Sequence, residues 1–411
     1  MKKIVILGGG FGGVEFYRTA HKELHGLPTV AFQMISRWNY FLFYPMLHEV
    51  ATGSVERSHI TEPLREIIDC CVEKFLQAEI TQIDFEKKIV TTNQGSHAYD
   101  YLIVSLGVQP NYFNIPGADE HCISFKSIAD AVTVRNHVIH HYELAAHEHD
   151  EETRKTLLSF VVIGGGPTGV ELAGQLADLM FHEMRELYPD VNPDEVKITL
   201  IDGGDQLLKQ FHPELGHLAE LRLKKMGVNI MLNTRAIRCE ADKIHLEGDG
   251  HVPGSLRIWA AGTKSTLVEL VDSKYLTKRG FLQTTETLQL VDHPEVFVIG
   301  DNMEITSPNA YMVPQTGQAA SATARHAAKN FVALLRNKKL QPFKFASKGD
   351  IIPIGDWYAV AELGGFRFFG PLAWIMRRVV FIQRLASPLN RAKVTLDWML
   401  HAVLKRDTSE L

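Results

Sequence analysis

One pattern, occurring twice, constrains this chain more than any other feature. Lys3 to Leu7 is an apolar run of strand length that leads directly into Gly8, Gly10 and Gly13, and Phe160 to Ile163 leads into Gly164, Gly166 and Gly169 with the same spacing. In a strand, turn and helix unit each glycine has its own task. The first makes a tight turn, the second lets the backbone approach a pyrophosphate, and the third lets the helix pack closely on the strand. The helix N-terminus behind the turn then offers unpaired amides and a positive dipole end to the phosphates. A single copy is weak; two copies, each after a β-type run and each followed by a further strand, point to an α/β chain with two dinucleotide crevices. Phe11 and Gly12 fall inside the first turn and Thr168 inside the second, and they join the glycines as expected nucleotide contacts.

The strand after each turn tests which nucleotide is bound, because a carboxylate at its end accepts hydrogen bonds from ribose hydroxyls. Lys197 to Ile201 ends in Asp202, followed by Gly203 and Gly204. An acid with no cation beside it repels a 2′-phosphate, so this crevice is expected to prefer NADH over NADPH. In the first unit Val30 to Ile35 ends instead in Ser36 and Arg37. Two readings compete there: an FAD site with altered ribose contacts, or an NADP-like site. FAD is favoured because two further segments fit a flavin arrangement, Tyr101 to Leu106 with Gly107, and Val296 to Ile299 with Gly300 and Asp301. Asp301 would then meet the ribityl and pyrophosphate region of a cofactor too long for one crevice. The expected fold is α/β with two Rossmann-type dinucleotide-binding domains and a C-terminal amphipathic helical region. The FAD-binding domain is discontinuous (1–113 and 284–345), the NADH-binding domain is inserted (114–283), and 346–411 forms the C-terminal region.

Composition narrows the classes. A chain of 411 residues, 45% hydrophobic and 22% charged, is long enough for two or three full cores, and disordered or fibrous classes drop out. A net charge of -5 gives no global field to attract nucleic acid. The cysteines Cys70, Cys71, Cys122 and Cys239 form no CxxC or CxxxxC pair and are read as reduced and structural, which argues against a flavin disulfide reductase. The opening apolar run breaks at Gly8 to Gly10, so it reads as a first strand rather than a targeting segment. No uncharged apolar run approaches the roughly 18 residues of a membrane-spanning helix. The run His140, His141, His147 and His149 lies in a polar stretch dense in Glu and Asp and reads as a solvated helix end, so no metal is expected.

At this point the residues resemble a known family, the type II NADH:quinone oxidoreductases, single-chain FAD enzymes of the two-dinucleotide-binding superfamily. The matching stretches are VILGGGFGG (Val5 to Gly13), NYFLFYPMLHEVATG (Asn39 to Gly53), FVVIGGGPTGVELAG (Phe160 to Gly174), IWAAG (Ile258 to Gly262) and VFVIGD (Val296 to Asp301). The resemblance implies a glutathione-reductase-like fold, oxidation of NADH with FAD as the flavin, and reduction of a membrane quinone without proton pumping. It also implies a peripheral position on the cytoplasmic face of the cell membrane, in a respiratory chain, with a homodimer left open. By motif match, Gly8, Gly10 and Gly13 would hold FAD pyrophosphate, with Asp301 on the flavin chain. Gly164, Gly166, Gly169 and Asp202 would hold NADH, Ala261 and Gly262 would line the dinucleotide, and Glu171 would sit where the nicotinamide meets the flavin. The plainer reading of Glu171 is an exposed acid stabilising its helix start.

The sequence departs from the family at two places. Ser36 stands where an acid is usual. The family's AQxxxQ segment near the flavin is matched in VPQTGQAASATA (Val313 to Ala324) by Gln318 at its first glutamine but by Ala322 at its second. Glu171 and Gln318 remain the candidates for catalytic roles. Flavin chemistry needs little acid–base machinery, but quinone reduction needs protons. His48 is one source for them, set against the plainer reading of a packed or solvent-facing histidine.

From Phe366 onward Arg367, Arg377, Arg378, Arg384, Arg391, Lys393, Lys405 and Arg406 are interleaved with large apolar side chains, and Pro388 separates two helical stretches. Such basic amphipathic helices lie in the plane of a bilayer, apolar face down and cations at the headgroups; the alternative is a pair packed on the protein's own core or a partner. The rival functions are a soluble NADH reductase of a ferredoxin-like acceptor and a redox-inactive nucleotide-binding protein that kept the fold. A sulfide:quinone reductase would need flavin-side cysteines, and none stands in a matching position.

Overall fold

The computed structural model describes residues 1–25, 30–68, 74–306, 311–385, 387–401 and 404–410. Cys70 and Cys71 lie outside them. The chain divides into two compact units, one formed by 1–42, 61–109 and 263–347, the other by 43–60, 110–262 and 348–411. This division differs from the sequence expectation in three main ways. Phe43 to Ile60 belongs with the second unit, 263–283 belongs with the first, and the C-terminal residues fall in the second unit rather than standing apart.

The first unit is built on an eight-stranded sheet. Lys2–Leu7 lies at its centre, paired in parallel with Val30–Ser36 on one side and Tyr101–Val104 on the other. Its residues Ile4, Val5, Ile6 and Leu7 are fully buried, as expected of a parallel strand covered on both faces. Strand His293–Val298 continues the sheet beyond Tyr101–Val104, with Val296 opposite Leu102 and Val298 opposite Val104. The late VFVIGD segment therefore joins the first glycine turn's sheet. Helices Phe11–Leu24 and Gly317–Leu335 pack together, Phe16 against Phe331 among them.

The second unit repeats the plan on a five-stranded sheet. Ser159–Ile163 is flanked in parallel by Lys197–Ile201 and Leu256–Trp259. Helix Pro167–Asp178 follows the turn and runs on through a π-helical stretch, Leu179–Met184. In both units the glycine turn leaves the carboxyl end of the first strand where neighbouring connections depart to opposite sides, the crevice at which open α/β sheets bind ligands.

A three-stranded antiparallel sheet, Asp350–Pro353, Ala359–Leu363 and Phe366–Gly370, precedes helices Pro371–Arg384 and Pro388–His401. The composition change at Phe366 thus begins with a strand, and the helices begin at prolines, which suit a first helical turn because they have no amide to leave unpaired. The basic stretch is corrected in part. Arg377 and Arg406 are buried, Trp374, Val394 and Trp398 pack inside the unit, and Arg378 stacks between the rings of Trp374 and Trp398. The surface of this region includes an apolar stripe, Leu372, Ile375 and Val379, with exposed Phe366 and Phe369 before it in the chain. Among the described residues no helix is long and apolar enough to cross a membrane.

Candidate functional site: two glycine turns and a buried acid cluster

The two turns fit the division of labour expected of their glycines. Gly8 and Gly164 have φ of +98° and +119°, a backbone region that favours glycine. A Cβ on Gly13 would lie 1.9 Å from the Gly8 carbonyl oxygen, and one on Gly169 would lie 1.8 Å from that of Gly164, so the third glycine is where helix meets turn. At Gly10 and Gly166 a Cβ would meet nothing within 4 Å. Those two positions face open space, the cradle that a pyrophosphate would fill and a side chain would block. The residues present therefore fit a dinucleotide at each turn.

Around the first turn, Gly107 and the Gly300–Asn302 turn are tied together. Asn302 accepts from the Gly107 amide at 2.9 Å and donates to its carbonyl at 2.8 Å, and the Gly300 amide donates to Thr323 Oγ1 at 3.0 Å. Asn302 and Thr323 escaped the sequence reading; the only signal was Asn302's place directly after Gly-Asp. Asp301 is held at this turn. Gln318 sits half-buried in the first turn of helix Gly317–Leu335, whose start is capped by Thr316 accepting from Ala319. Phe11 meets Phe41 edge-on at 5.1 Å. Ala322 is half-buried.

Ser36 is buried at its strand end, and Arg37 is held by the Glu79 carboxylate at 2.5 Å. Arg37 and Glu79 line a cavity of about 530 Å³ together with Arg65, Gln77 and Asn93. Glu79 in this exposed pair competes with a 2′-phosphate for the Arg37 guanidinium, which weakens the attraction of the NADP-like reading. In the second unit Asp202 accepts from the amides of Gly165 and Gly204, each at 2.6 Å. The carboxylate braces the turn and keeps lone pairs for ribose hydroxyls. Ala261 and Gly262 follow strand Leu256–Trp259 beside Gly164, and the Trp259 indole donates to the Ala261 carbonyl at 2.7 Å.

Glu171 is not an exposed helix-start acid. Its side chain keeps 13% exposure, and its Oε2 lies 3.5 Å from His48 Nδ1. Helix Leu47–Ala51 carries His48 and Glu49, both buried. Arg377 donates to Glu49 Oε1 at 2.7 Å and to the Pro45 carbonyl at 3.1 Å, and its Nη2 lies 3.1 Å from His48 Nε2. The Trp398 indole donates to Glu49 Oε2 at 2.7 Å. Burial alone would raise Glu49, but Arg377, with His48 and Arg378, outweighs it and brings the carboxyl down to about 2. Burial, with Arg377, lowers His48 to about 3. Burial raises Glu171 to about 8 against the pull of Arg377. At neutral pH the cluster therefore holds a carboxylate, a guanidinium, a neutral imidazole and a protonated Glu171, an acid able to give up a proton near physiological pH.

Among the described residues no group of three or more His, Cys, Asp or Glu could hold a metal. Cys122 and Cys239 are buried free thiols, and their shared hydrogen bond and burial push the Cys122 thiol up. A raised thiol is a poor nucleophile.

The comparisons with known proteins agree with this geometry. The family model described as pyridine nucleotide-disulphide oxidoreductase matches residues 2–324. The type II NADH:quinone oxidoreductase Ndh of Mycobacterium tuberculosis is 29% identical, with 96% of this chain and 87% of that protein covered. A probable mitochondrial NADH-ubiquinone oxidoreductase of Schizosaccharomyces pombe is 30% identical, with 100% and 84% covered. Among solved structures, NDH2 from Plasmodium falciparum in complex with NADH superposes with a TM-score of 0.92 at 23% identity, covering 99% of both chains. The sulfide:quinone oxidoreductase of Aquifex aeolicus shares the fold, with a TM-score of 0.74 at 20% identity over 98% of this chain and 96% of that one. The chain belongs to the pyridine nucleotide-disulphide oxidoreductase family and, within it, to the type II NADH:quinone oxidoreductases, enzymes that are NADH dehydrogenases.

Proposed function

We propose that this chain oxidises NADH and reduces a membrane quinone by two electrons, with FAD as its flavin, without pumping protons. The observation that carries the reading is the pair of glycine turns whose middle glycines, Gly10 and Gly166, face open space after parallel-paired strands of two separate sheets. FAD, when bound, supplies hydride acceptance and electron relay to the acceptor.

The chain's own residues bind and orient. Gly8, Gly10, Phe11, Gly12 and Gly13 would receive the flavin nucleotide's pyrophosphate, Ser36 and Arg37 its adenosine end, and Gly107, Gly300 and Asp301 its ribityl side. Gly164, Gly166, Thr168, Gly169 and Asp202 would receive NADH, with Ala261 and Gly262 along the dinucleotide. Gln318 would offer an amide to the acceptor. Glu171, protonated at neutral pH by virtue of its burial, would supply the proton that a reduced quinone needs.

The domains follow these assignments: a discontinuous FAD-binding part, an inserted NADH-binding part and a C-terminal docking part. The exposed stripe of Leu372, Ile375 and Val379, with Phe366 and Phe369, supports a peripheral position on a membrane, where a lipid-soluble quinone is reached, and the face proposed is the cytoplasmic one. It also favours a quinone over a soluble ferredoxin-like acceptor.

Anaerobic titration of the purified holoprotein tests the reading. NADH is expected to bleach the flavin bands at far lower concentration than NADPH, and a quinone analogue to restore them. Protein that binds no flavin, or whose bleached flavin is indifferent to quinone, overturns it.

A further inference from the structure

The proton needed at the acceptor rests on Glu171, and the side chains around Glu171 are arranged in a sequence that fixes one proton. A guanidinium has only donors, so the Arg377 Nη2 contact at 3.1 Å requires His48 Nε2 to accept. The Pro45 carbonyl and Glu49 Oε1 each take a further donor of Arg377 and hold the guanidinium against the ring. Each Glu49 oxygen in turn accepts from one of these neighbours, Oε1 from Arg377 and Oε2 from the Trp398 indole, and Oε1 stays 3.8 Å from His48 Nε2. A neutral imidazole whose Nε2 accepts carries its hydrogen on Nδ1, and Nδ1 faces Glu171 Oε2 at 3.5 Å.

We propose that His48 and Arg377 are positioning residues for Glu171: Arg377 locks the His48 tautomer, and the Nδ1 hydrogen so fixed orients the Glu171 carboxyl and sets its proton affinity. Helix Pro371–Arg384, through one guanidinium, thereby governs an acid on the helix that begins at the second glycine turn. The inference rests on the reading of Glu171 as the acid that serves the acceptor.

The direction of the effect follows from the donor. A hydrogen bond given to a carboxylate favours its ionised form, so an Nδ1–H donated across the 3.5 Å to Glu171 Oε2 would oppose the rise that burial imposes on Glu171. The charged and titratable groups around the imidazole are Glu171 from helix Pro167–Asp178, Glu49 from its own helix, and Arg377 with Arg378 beyond it from helix Pro371–Arg384. With Glu49 paired to Arg377 and the ring itself neutral, the group left to titrate near physiological pH is Glu171.

Two amide replacements separate positioning from mere packing. The side-chain nitrogen of His48→Asn stands as many bonds from Cβ as Nδ1, whereas that of His48→Gln corresponds to Nε2. In the flavin-loaded enzyme, reduction by NADH and reoxidation by a quinone analogue are followed separately against pH. In H48Q the alkaline fall of reoxidation should move upward by ~1 pH unit, with flavin bleaching by NADH unchanged, because the donor to Glu171 is lost. H48N should keep the parent's profile. Identical profiles for both variants, shifted or not, would overturn the proposal.

Glu171→Gln separates this inference from the reading beneath it. If E171Q keeps the alkaline fall, Glu171 is not the acid and both ideas fail. If E171Q loses it while H48Q stays unshifted, only the tautomer relay fails. Nitrogen-15 NMR of histidine-labelled parent enzyme needs no folded variant of Arg377: a His48 ring protonated on Nδ1 supports the relay, and one protonated on Nε2 refutes it.

Discussion

Two carboxyls in one neighbourhood, Glu49 and Glu171, are driven apart by their surroundings, the first down to about 2 and the second up to about 8. The difference is made by pairing: Glu49 has a guanidinium and an indole, Glu171 only an imidazole edge. Acceptor reduction should therefore fall as pH rises through about 8, and E171Q, which cannot ionise, should lose that limb along with roughly a hundredfold in reoxidation rate. Stability carries the same sign. Glu171 titrates higher folded than at its ordinary 4.5, so its contribution is present below that value and is lost as pH rises through about 8. Melting temperature measured across this window should decline less for E171Q than for the parent. Asp202, bound to two turn amides, predicts a different defect: Asp202→Asn should weaken NADH binding about tenfold, near 1.4 kcal/mol, and narrow the preference over NADPH, as read by flavin-bleaching titrations.

At the scale of elements, the glycine turns separate binding from folding. Gly10→Ala adds a methyl to open space and should leave the protein folded with weakened flavin retention. Gly13→Ala drives a methyl onto the Gly8 carbonyl and should cost folding itself. Flavin content and thermal melting of the two variants distinguish the outcomes. These turns were legible in the sequence because their geometry is written within a few residues, and Asp202 because it ends the next strand. The acid cluster was not. Arg377 stands beside Arg378 among aromatics and reads locally as a headgroup cation, yet its partner Glu49 lies 328 residues away and nothing near either residue announces the other. His48 was legible as a candidate, but its neutrality comes first from burial and then from that distant guanidinium, neither of which is written locally. Arg377→Met should destabilise the protein by about 3–5 kcal/mol, since it leaves Glu49 buried without its cation; denaturant midpoints would measure it.

For the whole molecule, the sequence conveyed the doubling of the βαβ plan and the placement of VFVIGD in the first sheet. It overstated the number of cations left for a membrane. Arg367 pairs with Glu214, Lys405 with Glu186, and Arg377 and Arg406 are buried, while Arg384 and Lys393 make no ion pair among the described residues. Docking should then depend on apolar insertion more than on charge. The double change Ile375→Glu and Val379→Glu should reduce vesicle binding roughly a hundredfold, from about 3 kcal/mol of lost apolar burial, whereas raised salt should release little of the parent protein. Co-sedimentation with liposomes checks both.

The Glu49 carboxylate is closed off by Trp398, 349 residues further along the chain. On a ribosome, Glu49 emerges long before either side chain that satisfies it, so the interior of the second unit stays incomplete until the segment carrying Arg377 and Trp398 has been made.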